Sequence, residues 1–306
     1  MALAERIHTA WDSDIAYSFR RSPVAMVSAL LTALLVGGAV FAPLIAPYDP
    51  FDPSTLNLMN GRTPPFSTNP FTGDYFLLGT DDQGRDMLST ILYGLRISLF
   101  VGFSAVLFAM ILGVTLGLIA GYAGGWTDTI IMRIADIQLT FPSILLAMLI
   151  SGVAQVWVDP ANRQEAAIIV LIVAIGLSDW VQFARVVRAS VMVERSKEYV
   201  QAARLIGRGP GAIMLRHVLP NTLSPVLVIA TIGLALAIIA EATLSYLGVG
   251  VPPTQPSLGT LVRIGQDFMW SERWILISSG LTLLVLALSV NLLGDWLRSA
   301  LNPRLQ

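Results

Sequence analysis

The stretch from residue 194 to residue 220, ERSKEYVQAARLIGRGPGAIMLRHVLP, is a polar and basic segment in an otherwise apolar chain. Its first half predicts a short amphipathic helix, in which Tyr199, Ala202, Ala203 and Ile206 share one face at helical spacing. Such a helix is too short and too polar to cross a bilayer. It is therefore expected at the surface of the protein, between longer apolar helices.

This short helix is bounded by residues with defined backbone preferences. Gly207 can adopt the left-handed conformation that ends a helix, and Pro210 suits the first turn of a second helix. The second helix carries His217 and reaches Pro220, where a long apolar run begins. The segment predicts a helix–glycine–helix loop. Two interpretations are open: its basic residues only mark the cytoplasmic side of the membrane, or the loop is a docking element, which the helix, the glycine stop and the proline start favour.

The composition indicates a membrane protein. Of the 306 residues, 55% are hydrophobic and 13% are charged, and the mean hydropathy is +0.70, whereas a soluble domain carries about 25% charged residues. The net charge of −1 gives no electrostatic argument for nucleic acid. The absence of cysteine excludes thiolate chemistry, and His8 and His217 show no metal-ligand spacing, so we expect no metal site.

Six segments are apolar and long enough to cross a bilayer, for which about 20 residues are needed. They are roughly residues 24–46, 97–121, 137–158, 166–187, 222–247 and 274–297. Since six is an even number, both termini lie on one side. The sequence therefore predicts an all-α polytopic membrane protein.

The distribution of arginine and lysine selects that side, because cytoplasmic loops carry an excess of both. If the N-terminus is inside, six of the 19 basic residues fall outside, namely Arg62, Arg85, Arg96, Arg163, Arg263 and Arg273. All others fall inside. This predicts an N-in, C-in orientation with the 188–221 loop in the cytoplasm.

The same reading divides the chain into five parts. We expect a cytoplasmic tail over 1–23, a first transmembrane helix over 24–46, a periplasmic loop over 47–96, a five-helix core over 97–297, and a cytoplasmic tail over 298–306. The core includes the 188–221 loop.

Small residues and prolines mark special positions within the predicted spans. Gly113, Gly117 and Gly121 repeat every four residues, which lets helices approach closely, either as static packing or as the seam of a moving gate. Pro142 and Pro225 each remove a backbone donor and predict a static kink or a hinge.

Three acidic residues, Asp136, Asp179 and Glu241, lie in or near the predicted spans. A charge inside a bilayer is costly and usually faces protein or water. Arg133 precedes Asp136 by one helical turn, which suggests a local ion pair. Two readings stay open for these acids: structural pairing, or a place in a translocation pathway.

The sequence contains no catalytic signature. It lacks the G-x-x-x-x-G-K-[ST], H-E-x-x-H and G-x-S-x-G motifs. The chain is therefore not expected to be an enzyme, and any energy for transport has to come from a partner protein or an ion gradient.

Several further stretches match one family together. They are LGTD at 78–81 with GRD at 84–86, FPSILLA at 141–147, YVQAAR at 199–204, HVLPN at 217–221, LSYLG at 244–248 and NLLGDWLR at 291–298. Over nearly its whole length the chain resembles the second permease subunit of ABC importers of the dipeptide, oligopeptide and nickel class. The resemblance implies the fold of a type I importer permease with a cytoplasmic coupling helix.

The resemblance also implies which residues of the loop meet an ATPase. These are Glu198, Tyr199, Gln201, Ala202, Ala203, Arg204, Gly207 and Arg208. Small residues would fit a groove on the ATPase, and the charged residues would pair at its rim. The chain departs from the general family pattern at Gln201, where a glutamate is usual, and at His217, where an isoleucine is usual.

The implied assembly has several partners. A homologous second permease completes a heterodimeric pore, two ATP-binding subunits carry the ATP and magnesium, and a periplasmic or lipid-anchored binding protein delivers substrate. This chain would contact membrane lipid in the bacterial inner membrane, and bind no nucleic acid and no cofactor of its own. The expected cargo is di- or oligopeptides, the alternatives being nickel chelates, opines, glutathione or oligosaccharides. A remoter alternative is a gradient-driven secondary transporter.

Overall fold

A computed structural model describes residues 14–52, 56–159 and 162–300. In chain order the helices are α1 (Asp14–Arg21), α2 (Pro23–Val40), α3 (Ala42–Ile45), α4 (Met87–Ala123), α5 (Gly125–Gln138), α6 (Ser143–Trp157), α7 (Arg163–Glu194), α8 (Glu198–Leu205), α9 (Pro210–Ile213), α10 (Leu219–Tyr246), α11 (Leu258–Asp267) and α12 (Arg273–Ala300). Two short strands, β1 (Ser67–Thr68) and β2 (Tyr75–Phe76), pair antiparallel. Residues 1–13 and 301–306, which belong to the two predicted tails, lie outside the described residues.

The described residues form an all-α membrane fold, as predicted. Five helical segments have the length and hydropathy of membrane spans: α2, α4, α7, the continuous segment Pro210–Tyr246, and α12. The sixth candidate is the pair α5 and α6, which is bent by 93° at a short break. The described part of the chain therefore contains five candidate spans, or six when the bent pair counts as one.

The third predicted span differs most from the structure. A single helix over residues 137–158 is wrong, because α5 ends at Gln138 and α6 begins only at Ser143. Pro142 precedes α6 with extended backbone angles, φ −57° and ψ 131°. A proline has no amide hydrogen and disfavours helical geometry in the residue before it, so the chain turns here instead of continuing.

Helix α4 is longer than predicted. It begins at Met87, ten residues before the expected start, and its 37 residues extend to about 55 Å at the usual rise per residue. Asp86 caps it, since its carboxylate accepts a hydrogen bond from the amide of Ser89 at 2.8 Å. Residues 87–96, which were assigned to a loop, therefore extend the span beyond the thickness of a hydrocarbon core.

The packing of α4 against α7 uses the predicted glycine stripe. A Cβ atom built on Gly113 would lie 2.4 Å from the carbonyl oxygen of Trp180, and one built on Gly117 would lie 2.4 Å from that of Ala184. A Cβ on Gly121 would lie 2.8 Å from the Cβ of Val191. Glycine is required for this approach, and the partner helix belongs to the same chain.

One end of the bundle is closed by a structure that we call the cap, which consists of residues 47–52, 56–86 and 247–272. The Trp274 indole donates to the carbonyl oxygen of Thr80 at 3.0 Å, and Ser98 in α4 accepts from the amide of Leu258 at 3.2 Å. The cap is thus attached to α4 and α12. The opposite end of the bundle carries residues 195–218, and we call it the loop end.

Candidate docking site and intramembrane polar residues

The loop end presents α8 on a defined turn. The amide of Gly207 donates to the carbonyl oxygen of Arg204 at 3.0 Å, and the amide of Arg208 donates to that of Ala203 at 3.1 Å. With φ +77° at Gly207, this is the Schellman arrangement that ends a helix, as the sequence predicted. Pro210 then occupies the first turn of α9.

Side chains fix α8 to the end of α7. Glu194 is buried, and its carboxylate accepts hydrogen bonds from the Lys197 ammonium at 2.6 Å and from the Tyr199 hydroxyl. The hydroxyl of Tyr199 also accepts from the amide nitrogen of Asn221 at 3.2 Å. Burial raises the pKa of the Tyr199 phenol, and its bond to the carboxylate raises that pKa further. Tyr199 therefore links α7, α8 and α10.

Two arginines connect the loop to the end of α4. Arg195 donates to the carbonyl oxygen of Gly121 at 2.9 Å. The guanidinium of Arg204 lies 5.3 Å from the centre of the Tyr122 ring, within the range of a cation–π contact. The loop is therefore held against the end of α4 as well as against α7 and α10.

The structure divides the predicted docking residues between two faces of α8. Ala203 is 5% exposed and packs with Val200 into a core formed by α4, α7, α9 and α10. Leu205 is 89% exposed and Ile206 is 75% exposed. Ala203 is thus part of the chain's own core, whereas Leu205 and Ile206, at the C-terminal end of α8, form an exposed apolar tip.

The remaining predicted docking residues lie along α8 and in the turn that follows it. Glu198, Gln201, Ala202, Arg204, Gly207 and Arg208 are all exposed. Gln201 donates to the carbonyl oxygen of Ser196 at 3.0 Å, so it braces the turn before α8. Leu205 was missed because its position lies outside the sequence-defined face. The clue in the sequence was a large apolar residue close to Gly207, the glycine that ends the helix.

The three intramembrane acids have different surroundings. Asp136 does not pair with Arg133. Its carboxylate accepts a hydrogen bond from Arg185 of α7 at 2.5 Å, because α5 packs against α7 there. A second pair, which the sequence did not reveal, joins Asp128 of α5 to Arg188, whose Nη2 donates at 2.6 Å. Both pairs fasten the bent α5 segment to α7.

Glu241 is fully buried in α10 and accepts from the Ser245 hydroxyl at 2.7 Å, while its Oε2 has no hydrogen-bond partner in the described structure. Asp179 is half-buried on α7, in a cleft formed with α4 and α10. The three acids therefore do not form one cluster. Among residues 14–52, 56–159 and 162–300, no group of His, Asp or Glu side chains is arranged to hold a metal ion.

The architecture is that of an integral membrane protein whose exposed loop, residues 195–218, is built into the ends of three spans. Comparison with known proteins assigns the chain to a family. It belongs to the family described as binding-protein-dependent transport system inner membrane component, whose model matches residues 113–306. Residues 9–65 match the model of the N-terminal transmembrane domain of oligopeptide transport permease C.

Full-length relatives agree with this assignment. The dipeptide transport system permease protein DppC of Haemophilus influenzae is 37% identical over 95% of this chain and 94% of its own length. The glutathione transport system permease protein GsiD of Pectobacterium atrosepticum is also 37% identical, over 94% of this chain and 89% of its own length. A chain of the inward-facing MetNI methionine ABC transporter shares the fold, with a TM-score of 0.54 at 20% identity, covering 71% of this chain and 98% of that one.

Proposed function

We propose that this chain is one of two permease subunits forming the transmembrane passage of an ATP-driven importer, and that its cargo is short peptides. The observation that carries the proposal is the apolar tip of Leu205 and Ile206, exposed to 89% and 75% and presented on a braced α8. Exposed apolar residues ringed by charges are typical of a protein interface. The partner at this surface is an ATP-binding subunit, which supplies the ATP and magnesium.

The proposed orientation puts the loop end in the cytoplasm and the cap outside. Arg185, Arg188, Arg195, Arg204 and Arg208 lie at or near the loop end, as the positive-inside rule requires of the cytoplasmic side. The cap then faces the binding protein that delivers substrate. Both termini are cytoplasmic in this arrangement.

Peptides are the proposed cargo because the relatives that match along nearly the whole chain include a dipeptide permease. Glutathione is the second candidate, supported by the relative GsiD. Glutathione is itself a small peptide with a free amino group, so both candidates share one chemistry. The binding protein selects between them.

The first test is transport by the complete complex in proteoliposomes. We expect ATP-dependent uptake of short peptides in the presence of the binding protein, and mass spectrometry of the ligand that co-purifies with the binding protein should show a series of short peptides. If the co-purifying ligand is instead a metal chelate, a sugar or a single defined metabolite, the proposal that the cargo is short peptides is wrong. Uptake by this chain alone without ATP would favour a secondary transporter and overturn the mechanism.

A further inference from the structure

The cleft between α4, α7 and α10 contains an ionisable group inside the membrane-spanning region. Its lining includes Ala105 and Ala109 of α4, Asp179 and Gln182 of α7, and Gly233 of α10. The cavity volume is about 10 Å³, which is room for about one water molecule. Asp179 and Gln182 are the polar side chains in a lining that is otherwise made of small and apolar residues.

Asp179 differs from the other acids of the membrane region. Asp128 and Asp136 are paired with arginines, and Glu241 accepts a hydrogen bond from Ser245. Within the described residues, no hydrogen bond or ion pair reaches the carboxylate of Asp179. An unpaired carboxylate in a membrane span is costly, and such residues usually face water or a polar ligand.

The walls of the cleft indicate how a ligand reaches this carboxylate. Ala105 and Ala109 on α4 and Gly233 on α10 place little side-chain volume in the cleft. Gln182, one turn after Asp179, is exposed, and Leu236 on the facing helix α10 is 50% exposed. The cleft therefore opens on a side of the bundle that this chain does not cover. Residues 210–246 form one helical segment, in which the π-helical turn Met214–Val218 joins α9 to α10, so movement of the loop moves one wall of the cleft.

We propose that Asp179 contacts the substrate in the transmembrane passage by accepting the cationic amino group of a peptide, while Gln182 hydrogen-bonds the neighbouring amide. This rests on the proposed function, since a peptide with a free N-terminus carries an ammonium group at neutral pH. A carboxylate and an ammonium form the charge-assisted hydrogen bonds that are stronger than neutral ones. The contact has to be transient, because the substrate passes on through the membrane.

The natural absence of cysteine makes the position directly testable. In the complete complex, with the other subunits freed of reactive cysteines, Asp179→Cys should react with a cationic, water-soluble thiol reagent. The matched controls are Ser178→Cys, a neighbouring position that is 7% exposed, and Ile169→Cys, an apolar position on the same helix that is 65% exposed. Only the ionised thiolate reacts, and an apolar environment disfavours ionisation of a cysteine thiol. A cysteine at position 179 should therefore react about tenfold faster than a cysteine at either control position.

Binding protein loaded with peptide should slow this reaction under turnover conditions. Equal reaction rates at positions 178 and 179 would overturn the placement of Asp179 in the passage. If the peptide-loaded binding protein does not slow labelling at position 179, the proposed contact between Asp179 and the substrate is wrong.

Transport supplies the second measurement. Asp179→Asn should lower the maximal uptake rate of peptides with a free amino group about tenfold, the usual cost of losing one hydrogen bond to a charged group. The half-saturating concentration of loaded binding protein should not change. Asp179→Glu should retain most of the rate, and Glu165→Gln, at an exposed position in the first turn of the same helix, should retain all of it.

The two proposals fail in different ways. If the wild-type complex imports peptides and Asp179→Asn imports them at the same rate, the role of Asp179 is wrong while the proposed function stands. If the wild-type complex imports no peptide, the proposed function is wrong, and the assignment of a peptide amine to Asp179 is overturned with it.

Discussion

The guanidinium of Arg85 donates from Nη1 to the carbonyl oxygen of Pro253, 168 positions further along the chain, at 3.1 Å. The same guanidinium binds the carboxylate of Asp81 through Nε at 2.6 Å, and both side chains are essentially buried, with exposed fractions of 2% and 0%. One arginine thus joins the two segments of the cap. Lysine has a single donor group at its tip and does not reproduce this fork of donors.

Replacing Arg85 should therefore loosen the cap. Arg85→Ala leaves Asp81 buried without its partner, and breaking a buried ion pair costs about 3–5 kcal/mol. We expect a clearly lower midpoint in thermal unfolding of the purified subunit in detergent. Arg96→Ala, at an exposed position of α4, is the matched control and should change the midpoint little. Equal effects of the two substitutions would contradict the bridging role of Arg85.

The contact of α4 with α7 gives a second prediction. Gly117→Ala places a methyl group 2.4 Å from the carbonyl oxygen of Ala184, so the backbones have to separate. Overpacking of this kind typically costs about 1–3 kcal/mol. Gly152→Ala is the control, because a Cβ there meets nothing within 4 Å. Thermal unfolding should show a loss for Gly117→Ala and none for Gly152→Ala. A stable Gly117→Ala variant would show that the two helices are not locked together at this point.

The cap also contains a carboxylate with an altered titration. Burial raises the pKa of Asp82, and the neighbouring charge of Asp81 raises it further. A raised pKa means that the folded state disfavours the ionised form of Asp82. The free energy of unfolding therefore falls as the pH rises above the ordinary pKa of aspartate, and Asp82 has no such effect below that pH. Its Oδ1 is buried without a hydrogen-bond partner, which agrees with that cost.

Asp82→Asn should therefore stabilise the protein at neutral pH and have little effect below about pH 3, where the carboxylate is mostly protonated in the folded and unfolded states alike. The measurement is the unfolding midpoint of both proteins from about pH 3 to pH 8. Asp267→Asn, at an exposed position at the end of α11, serves as the control. A difference between Asp82→Asn and wild type that stays constant with pH would rule out this explanation.

Local residue preferences predicted much of the fold. Long apolar runs located the spans, Gly207 and Pro210 located the turn after α8, and the stripe of Gly113, Gly117 and Gly121 indicated a close helix contact. These features were readable because each depends on a few neighbouring residues. The break before Ser143 was readable in principle from Pro142, but hydropathy alone runs through it.

The features that the sequence did not reveal depend on which helices become neighbours. The pairing of Asp136 with Arg185, instead of Arg133, follows from the packing of α5 against α7. The burial of Ala203 follows from contacts with other helices on one side of α8. Helical periodicity identifies a face but does not say whether that face meets the chain's own core or a partner.

This difference changes the prediction for the docking loop. Both Ala203 and Leu205 lie on α8, yet Ala203 is 5% exposed and Leu205 is 89% exposed. Ala203→Asp buries a charge within the subunit, which should lower its stability and its yield from the membrane. Leu205→Asp changes an exposed side chain, so the subunit should fold normally and lose its fit to the ATP-binding subunit.

The measurement that separates the two is ATP hydrolysis by the reconstituted complex. Leu205→Asp should leave the unfolding midpoint of the isolated subunit unchanged and reduce the stimulation of hydrolysis by loaded binding protein at least about tenfold, as expected when an interface hot spot is lost. Leu215→Asp, which is 62% exposed at the same end of the bundle but outside α8, tests whether any new charge there has this effect. Normal stimulation in Leu205→Asp would show that the apolar tip of α8 is not the surface that meets the ATP-binding subunit, because a charge at the centre of that contact has to weaken it.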